Sequence, residues 1–308
     1  MIFPKKPQVL YAPMLGTLGG GSLRSFGRGA SEENFYINHG SGAPTWSSTP
    51  TTYTVASILG HYGMGSDQFG RYLIIASRGT QGSGQYHITI PITETGLRPS
   101  GNGEVSNKRS LNFPFNNPGN SFGAALDTVN SIVWTNRYGT SVIARSTLNH
   151  SYNATVDDPA GTYPSGNRTM ANAGSNALGK NDNDALFLDY INGKALYGGR
   201  TSRTLYSSDY DFSTGAATWT NETSKTLSNA NGFSGIYGIA RDFSSGYYVS
   251  VQRDGNVYVF PEDGSSNTAI ARGHGMNEDV AIGWTGDLFL FRSAPTNTGI
   301  AIWHYART

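Results

Sequence analysis

The sequence predicts an all-β fold built of short four-stranded units arranged as a β-propeller. Three observations carry that reading. The 308 residues include 40 glycines and 18 tyrosines, are 12% aromatic and only 14% charged, and are rich in Asn, Ser and Thr throughout. This composition suits short strands joined by tight turns. No amphipathic helical repeat runs through the chain. A unit of strand-like runs recurs, and its turns recur with it.

The clearest unit reads SGIYGIA (234–240), GYYVSV (246–251), GNVYVF (255–260) and NTAIA (267–271), with RDFSS and QRDG as breakers. Before it stand DALFLDY (184–190), KALYGG (194–199), SRTLYSS (202–208) and TWTNE (218–222). After it stand DVAIGW (279–284), DLFLFR (287–292) and GIAIWHY (299–305). Upstream lie NSIVWTN (130–136), TSVIAR (140–145) and SYNATV (151–156). The first unit reads ASILGHYG (56–63), RYLIIAS (71–77), QYHITIPI (85–92) and RSLNFPF (109–115). Four strands at this spacing are the pattern of a propeller blade. The innermost strands are expected at SILGHYG, SIVWTN, ALFLDY, GIYGIA and VAIGW, none of which contains arginine.

The turn after the third strand reads TETG (93–96), DDPAG (157–161), SDYDFSTG (208–215) and EDG (262–264). A polar side chain can bond local N–H groups while glycine takes positive φ. GAPTWSS (42–48) echoes GAATWTN (215–221) and follows NFYIN (34–38), so the N-terminal part reads as the late half of a blade. Completing the last blade with these strands would remove exposed sheet edges. Five blades are expected. Six is the alternative, because NFYIN and GIAIWHY both compete for a third-strand place.

Ser208, Asp209, Gly215, Thr218 and Trp219 resemble the Asp-box hairpin of sialidase-like propellers, with a longer turn inserted. In that family the box is a structural element of the blade rim. A glycosidase would need a convergent arginine cluster and paired carboxylates. Asp157, Asp158, Asp209, Asp211, Glu262 and Asp263 fall at turns of different units, where turn chemistry accounts for them. The six histidines form no zinc motif, and KNDND (180–184) lacks the EF-hand pattern. No enzyme, metal or cofactor is expected. Trp134, Tyr190, Tyr237 and Trp284 are candidates for ligand stacking along the channel, with blade packing as the competing role.

A formal charge of +1 argues against a nucleic-acid partner, and no apolar run has the length of a membrane span. Cysteine is absent, which excludes a disulfide framework. The first thirty residues read as an extended arm preceding a propeller domain at 31–308. Pro4, Pro7 and Pro13 favour an extended path, and Gly19, Gly20 and Gly21 allow a sharp turn. Val9, Leu10, Tyr11, Met14, Leu15 and Leu18 are apolar, with Arg24 and Arg28 beyond them, so these eight are the expected partner contacts. No secretory leader is read here, because Pro13 and the glycines interrupt the apolar run.

The stretch PQVLYAPMLGTLGGGSLRSFGRG (7–29) resembles the N-terminal arms of structural proteins from tailed phages, especially those of marine cyanobacteria. That resemblance implies a virion protein, made in the host cytoplasm and fastened by its arm to other capsid or tail proteins. The propeller would serve as a decoration knob or host-contact head. A glycan-binding propeller acting in host adsorption is the second expectation, and a sialidase-like glycosidase the third.

Overall fold

The computed structural model describes residues 35–55, 61–77, 86–97, 109–112, 123–136, 142–148, 170–177, 184–272, 279–293 and 300–308. The chain is all-β in these residues, apart from a 3-10 turn at Ala230–Gly232. Its strands form separate antiparallel sheets in a β-propeller arrangement. The first sheet holds β2 (His61–Ser66), β3 (Tyr72–Ser77), β4 (Tyr86–Thr93), β5 (Gly96–Leu97) and β6 (Arg109–Asn112). The second holds β7 (Ala124–Asp127), β8 (Ile132–Asn136), β9 (Val142–Leu148) and β10 (Met170–Ala177). The third holds β11 (Ala185–Asp189), β12 (Lys194–Gly198), β13 (Thr204–Asp209) and β14 (Thr220–Thr226). The fourth holds β15 (Gly238–Arg241), β16 (Tyr248–Val251), β17 (Asn256–Phe260) and β18 (Thr268–Ala271). The fifth holds β19 (Asp279–Ile282), β20 (Leu288–Ser293) and β21 (Ile300–Tyr305), and takes β1 (Thr51–Val55) as its outer strand.

The first strands β2, β7, β11, β15 and β19 pack side by side in a closed ring. Small residues permit this approach. A Cβ on Gly65 would lie 1.9 Å from the Ala124 carbonyl oxygen, and one on Gly238 would lie 2.2 Å from an Asp279 carboxylate oxygen. Asp279 also accepts a 2.9 Å hydrogen bond from the Met64 N–H, satisfying an inner-edge donor. Second and third strands are sandwiched between neighbours and are largely apolar, as in Ile132–Asn136 and Asn256–Phe260. The outer strand β14 is polar and exposed.

The ring closes where β1 pairs antiparallel with β21, Thr51 opposite His304 and Val55 opposite Ile300. Trp46, Ser47 and Thr45 extend the seam: Trp46 bridges Arg307, Ser47 N–H donates to Ala306 O, and Thr308 N–H donates to Thr45 O. The closing strand is therefore 51–55 and not NFYIN, whose residues 35–38 lie outside any strand. GIAIWHY takes the third place in its sheet. The tryptophan echo is only approximate in place: Trp219 directly precedes β14, whereas residues 47–50 separate Trp46 from β1.

Two inner strands differ from expectation. In the second sheet the inner strand is Ala124–Asp127, and SIVWTN is the second strand. The most apolar run belongs in mid-sheet, covered on both faces, whereas the axis selects Gly and Ala. In the first sheet the inner strand is His61–Ser66, shifted toward Gly63 and Gly65. Arginine is also present on an inner strand, because Arg241 ends β15. SYNATV, DDPAG and most of KNDND lie outside the described residues.

Candidate functional site

The turns from first to second strand gather at one end of the ring, here termed the turn face. Four of them begin with a buried acid: Asp67-Gln-Phe-Gly, Asp127-Thr-Val-Asn, Asp189-Tyr-Ile-Asn and Asp242-Phe-Ser-Ser. Each carboxylate accepts from backbone N–H groups of its own turn. Asp67 takes Arg71 N–H at 2.6 Å and Tyr72 N–H at 2.8 Å. Asp127 takes Asn130 N–H at 3.0 Å, Asp189 takes Asn192 N–H at 3.3 Å, and Asp242 takes Ser245 N–H at 2.9 Å. The Tyr210 hydroxyl also donates to Asp127, at 2.7 Å. Burial pushes the Asp67 carboxyl up to about 6 against the pull of its N–H donors. Burial likewise raises Asp127 and Asp189.

Arginines answer several of these acids. Arg241 lies 3.5 Å from Asp189 and 3.5 Å from Glu262, and Arg307 lies 3.2 Å from Asp242. Asp287, two residues beyond Thr285, pairs with His304 at 2.8 Å. The described carboxylates of this face are thus committed to turns and ion pairs, an arrangement that holds sheets together. Among the described residues no group of His, Cys, Asp or Glu could hold a metal ion.

Aromatic side chains from the same turns form a cup on the axis. The Phe69 and Tyr190 rings lie 4.7 Å apart, and Phe243 closes another side. Phe35 fills the cup, with ring centroids 5.4 Å from Phe69, 5.2 Å from Phe243 and 6.0 Å from Tyr190. Arg71 donates to the Phe35 carbonyl at 3.0 Å and stacks 4.0 Å above the Trp284 ring. Ile37 N–H donates to Trp284 O at 2.9 Å, and His39 N–H donates to Ser244 Oγ at 2.6 Å. The chain itself therefore occupies this end of the ring.

The four aromatic candidates do not meet. Trp134 is fully buried in the second sheet, donating to the Tyr210 hydroxyl at 3.0 Å and packing 4.9 Å from Trp219. Tyr190 belongs to the axial cup. Trp284 sits beside the cup, with its indole N–H on Ile92 O at 3.2 Å. Tyr237 precedes β15 at the opposite end of the ring, with Arg253 5.5 Å from its ring. Val9, Leu10, Tyr11, Met14, Leu15, Leu18, Arg24 and Arg28 lie outside the described residues.

The hairpin resembling an Asp-box uses a different carboxylate from the one expected. Asp211, not Asp209, holds the turn, accepting from Ser213 N–H at 2.9 Å and Thr214 Oγ1 at 2.7 Å. These bonds lower its pKa. Gly215 closes the turn at φ +60°. Asp209 instead pairs with Lys194. Trp219 is buried in the core.

The repeated buried acids and the axial cup were missed in the sequence. Their signal was present: Asp followed within two residues by an aromatic at 67, 189 and 242, each at the end of a first-strand run.

No protein-family model matches the chain, and neither does any curated protein. A solved luciferin-regenerating enzyme is similar in fold, with a TM-score of 0.47 and 10% identity, covering 84% of this chain and 95% of that chain. At that TM-score and identity the likeness carries no argument about this chain. Among the described residues no helix is long and apolar enough to cross a membrane.

Proposed function

We propose that the protein is a non-enzymatic structural component of a tailed-phage virion. Its residues 1–30 dock on other capsid or tail proteins, and a five-bladed propeller projects as the head. The count of five takes each sheet as one blade. The observation that carries the reading is where the arm would leave the domain. Phe35 is seated among Phe69, Tyr190 and Phe243 at the turn face, and in this reading that face is turned toward the particle and the opposite face away from it. Attachment at that face presents all blades alike, which suits a knob. The engagement of the turn-face acids in turns and ion pairs supports a scaffold role for that face.

The test is deletion of residues 1–30. The truncated chain is expected to remain soluble with an unchanged β spectrum, and to lose co-sedimentation with particles. Aggregation of the truncated chain would place the arm inside the domain. Retained co-sedimentation would remove the anchoring role.

A second reading assigns the exposed face to a host-surface glycan. It is favoured by Tyr237, the one aromatic candidate at the end of the ring away from Phe35, partly buried beside Arg253. Titration with host polysaccharide, read by tyrosine fluorescence in wild type and Tyr237→Ala, tests it.

A further inference from the structure

Residues Phe35–His39 touch the first turns of four different sheets. Phe35 packs on Phe69, Tyr190 and Phe243. Ile37 N–H donates to Trp284 O, and His39 donates through Nε2–H to Thr285 O at 2.8 Å. Ser244 Oγ donates to Gly40 O at 3.0 Å. The same stretch then runs to the seam. Trp46 donates to Gly286 O at 2.9 Å, Arg272 donates to Ser47 O at 2.9 Å, and β1 completes the sheet of β21. One continuous segment thus joins the axis of the ring to the edge at which the ring is closed.

We infer that residues 35–55 act as a clasp, in which seating of Phe35 in the axial cup holds β1 on β21. The physical basis is effective concentration. With Phe35 seated, a detached β1 stays tethered close to its partner strand and re-pairs as an intramolecular event. With Phe35 released, the contacts from Ile37 to Ser47 lose their apolar anchor, and cup and seam open as one local unit. Tension arriving from residues before Phe35 would meet the contacts of Phe35–His39 with four sheets before it reached β1. The inference concerns residues 35 onward and is independent of what the arm binds.

Hydrogen–deuterium exchange on the full-length chain tests it, comparing wild type with Phe35→Ala. The expected result is exchange faster by about tenfold or more across 45–55 and 300–308, with β16 and β17 unchanged. Faster exchange confined to 36–40, with the seam fully protected, would overturn the clasp. A second variant covers the case in which Phe35→Ala does not fold. Asn38 Oδ1 and Ser244 Oγ lie 3.1 Å apart, and the chain has no cysteine of its own. In Asn38→Cys/Ser244→Cys, oxidation is expected to slow exchange at the seam relative to the reduced chain. Equal seam rates in the two redox states of a disulfide-bonded variant would overturn the inference.

Discussion

At the scale of single residues, the buried acids of the turn face set how stability depends on pH. Asp67 ordinarily titrates near 3.8, and burial in the folded chain pushes it up to about 6. Below pH 4 it is protonated in folded and unfolded chains alike. Between pH 4 and 6 the unfolded chain has released a proton that the folded chain still holds. Stability from this group is therefore full at low pH and is lost as pH rises through about 6, by up to roughly 3 kcal/mol. Asp67→Asn keeps an oxygen for the Arg71 and Tyr72 N–H groups and removes the titration. Urea midpoints of wild type and variant, measured from pH 4 to 7, are expected to diverge in the variant's favour as pH rises. Parallel curves would contradict the assignment. Asp127 and Asp189 shift in the same direction, so the difference between the two proteins, and not either curve alone, is the informative quantity.

At the scale of elements, two glycines separate space from backbone conformation. Gly65 on β2 faces the Ala124 carbonyl so closely that a methyl group cannot be placed without moving the inner ring. Gly193, in the turn before β12, has open space around it but sits at φ +63°. Gly65→Ala is expected to abolish cooperative folding or lower the melting temperature severely. Gly193→Ala is expected to cost about 1 kcal/mol and leave a sharp transition. Thermal melts of the two variants check this, and equal costs would refute the close packing of the ring.

The same contrast explains what the sequence disclosed. Strands of mid-sheet, such as Leu288–Ser293 and Asn256–Phe260, are legible because burial on both faces demands continuous apolar runs. The inner strand Ala124–Asp127 is short and built of small residues, so periodicity has little to act on. The outer strand β1 reads TTYTV, with Thr51 and Thr52 exposed and Tyr53 buried, and so offers no long apolar run to mark its place. The turn after the third strand was recognised as a class, yet the choice between Asp209 and Asp211 depended on where the inserted loop folds back. The axial cup was invisible because Phe69, Tyr190 and Phe243 are far apart in sequence and meet only once the ring closes.

At the scale of the whole molecule, the propeller is closed by residues 45–55 on one side and 300–308 on the other, with Phe35 seated at the axis. In the proposed function the turn face is the side of attachment, and the opposite face is the one displayed. The proposal to be tested is that residues 1–30 fasten the propeller to a virion. The most direct measurement is gold-labelled antibody against the propeller on intact tailed particles, viewed by electron microscopy. The account predicts label on the particles, distributed over the head for a decoration knob or gathered at the tail for a tail-associated protein. Particles free of label, with all of the protein in the soluble fraction, would contradict it.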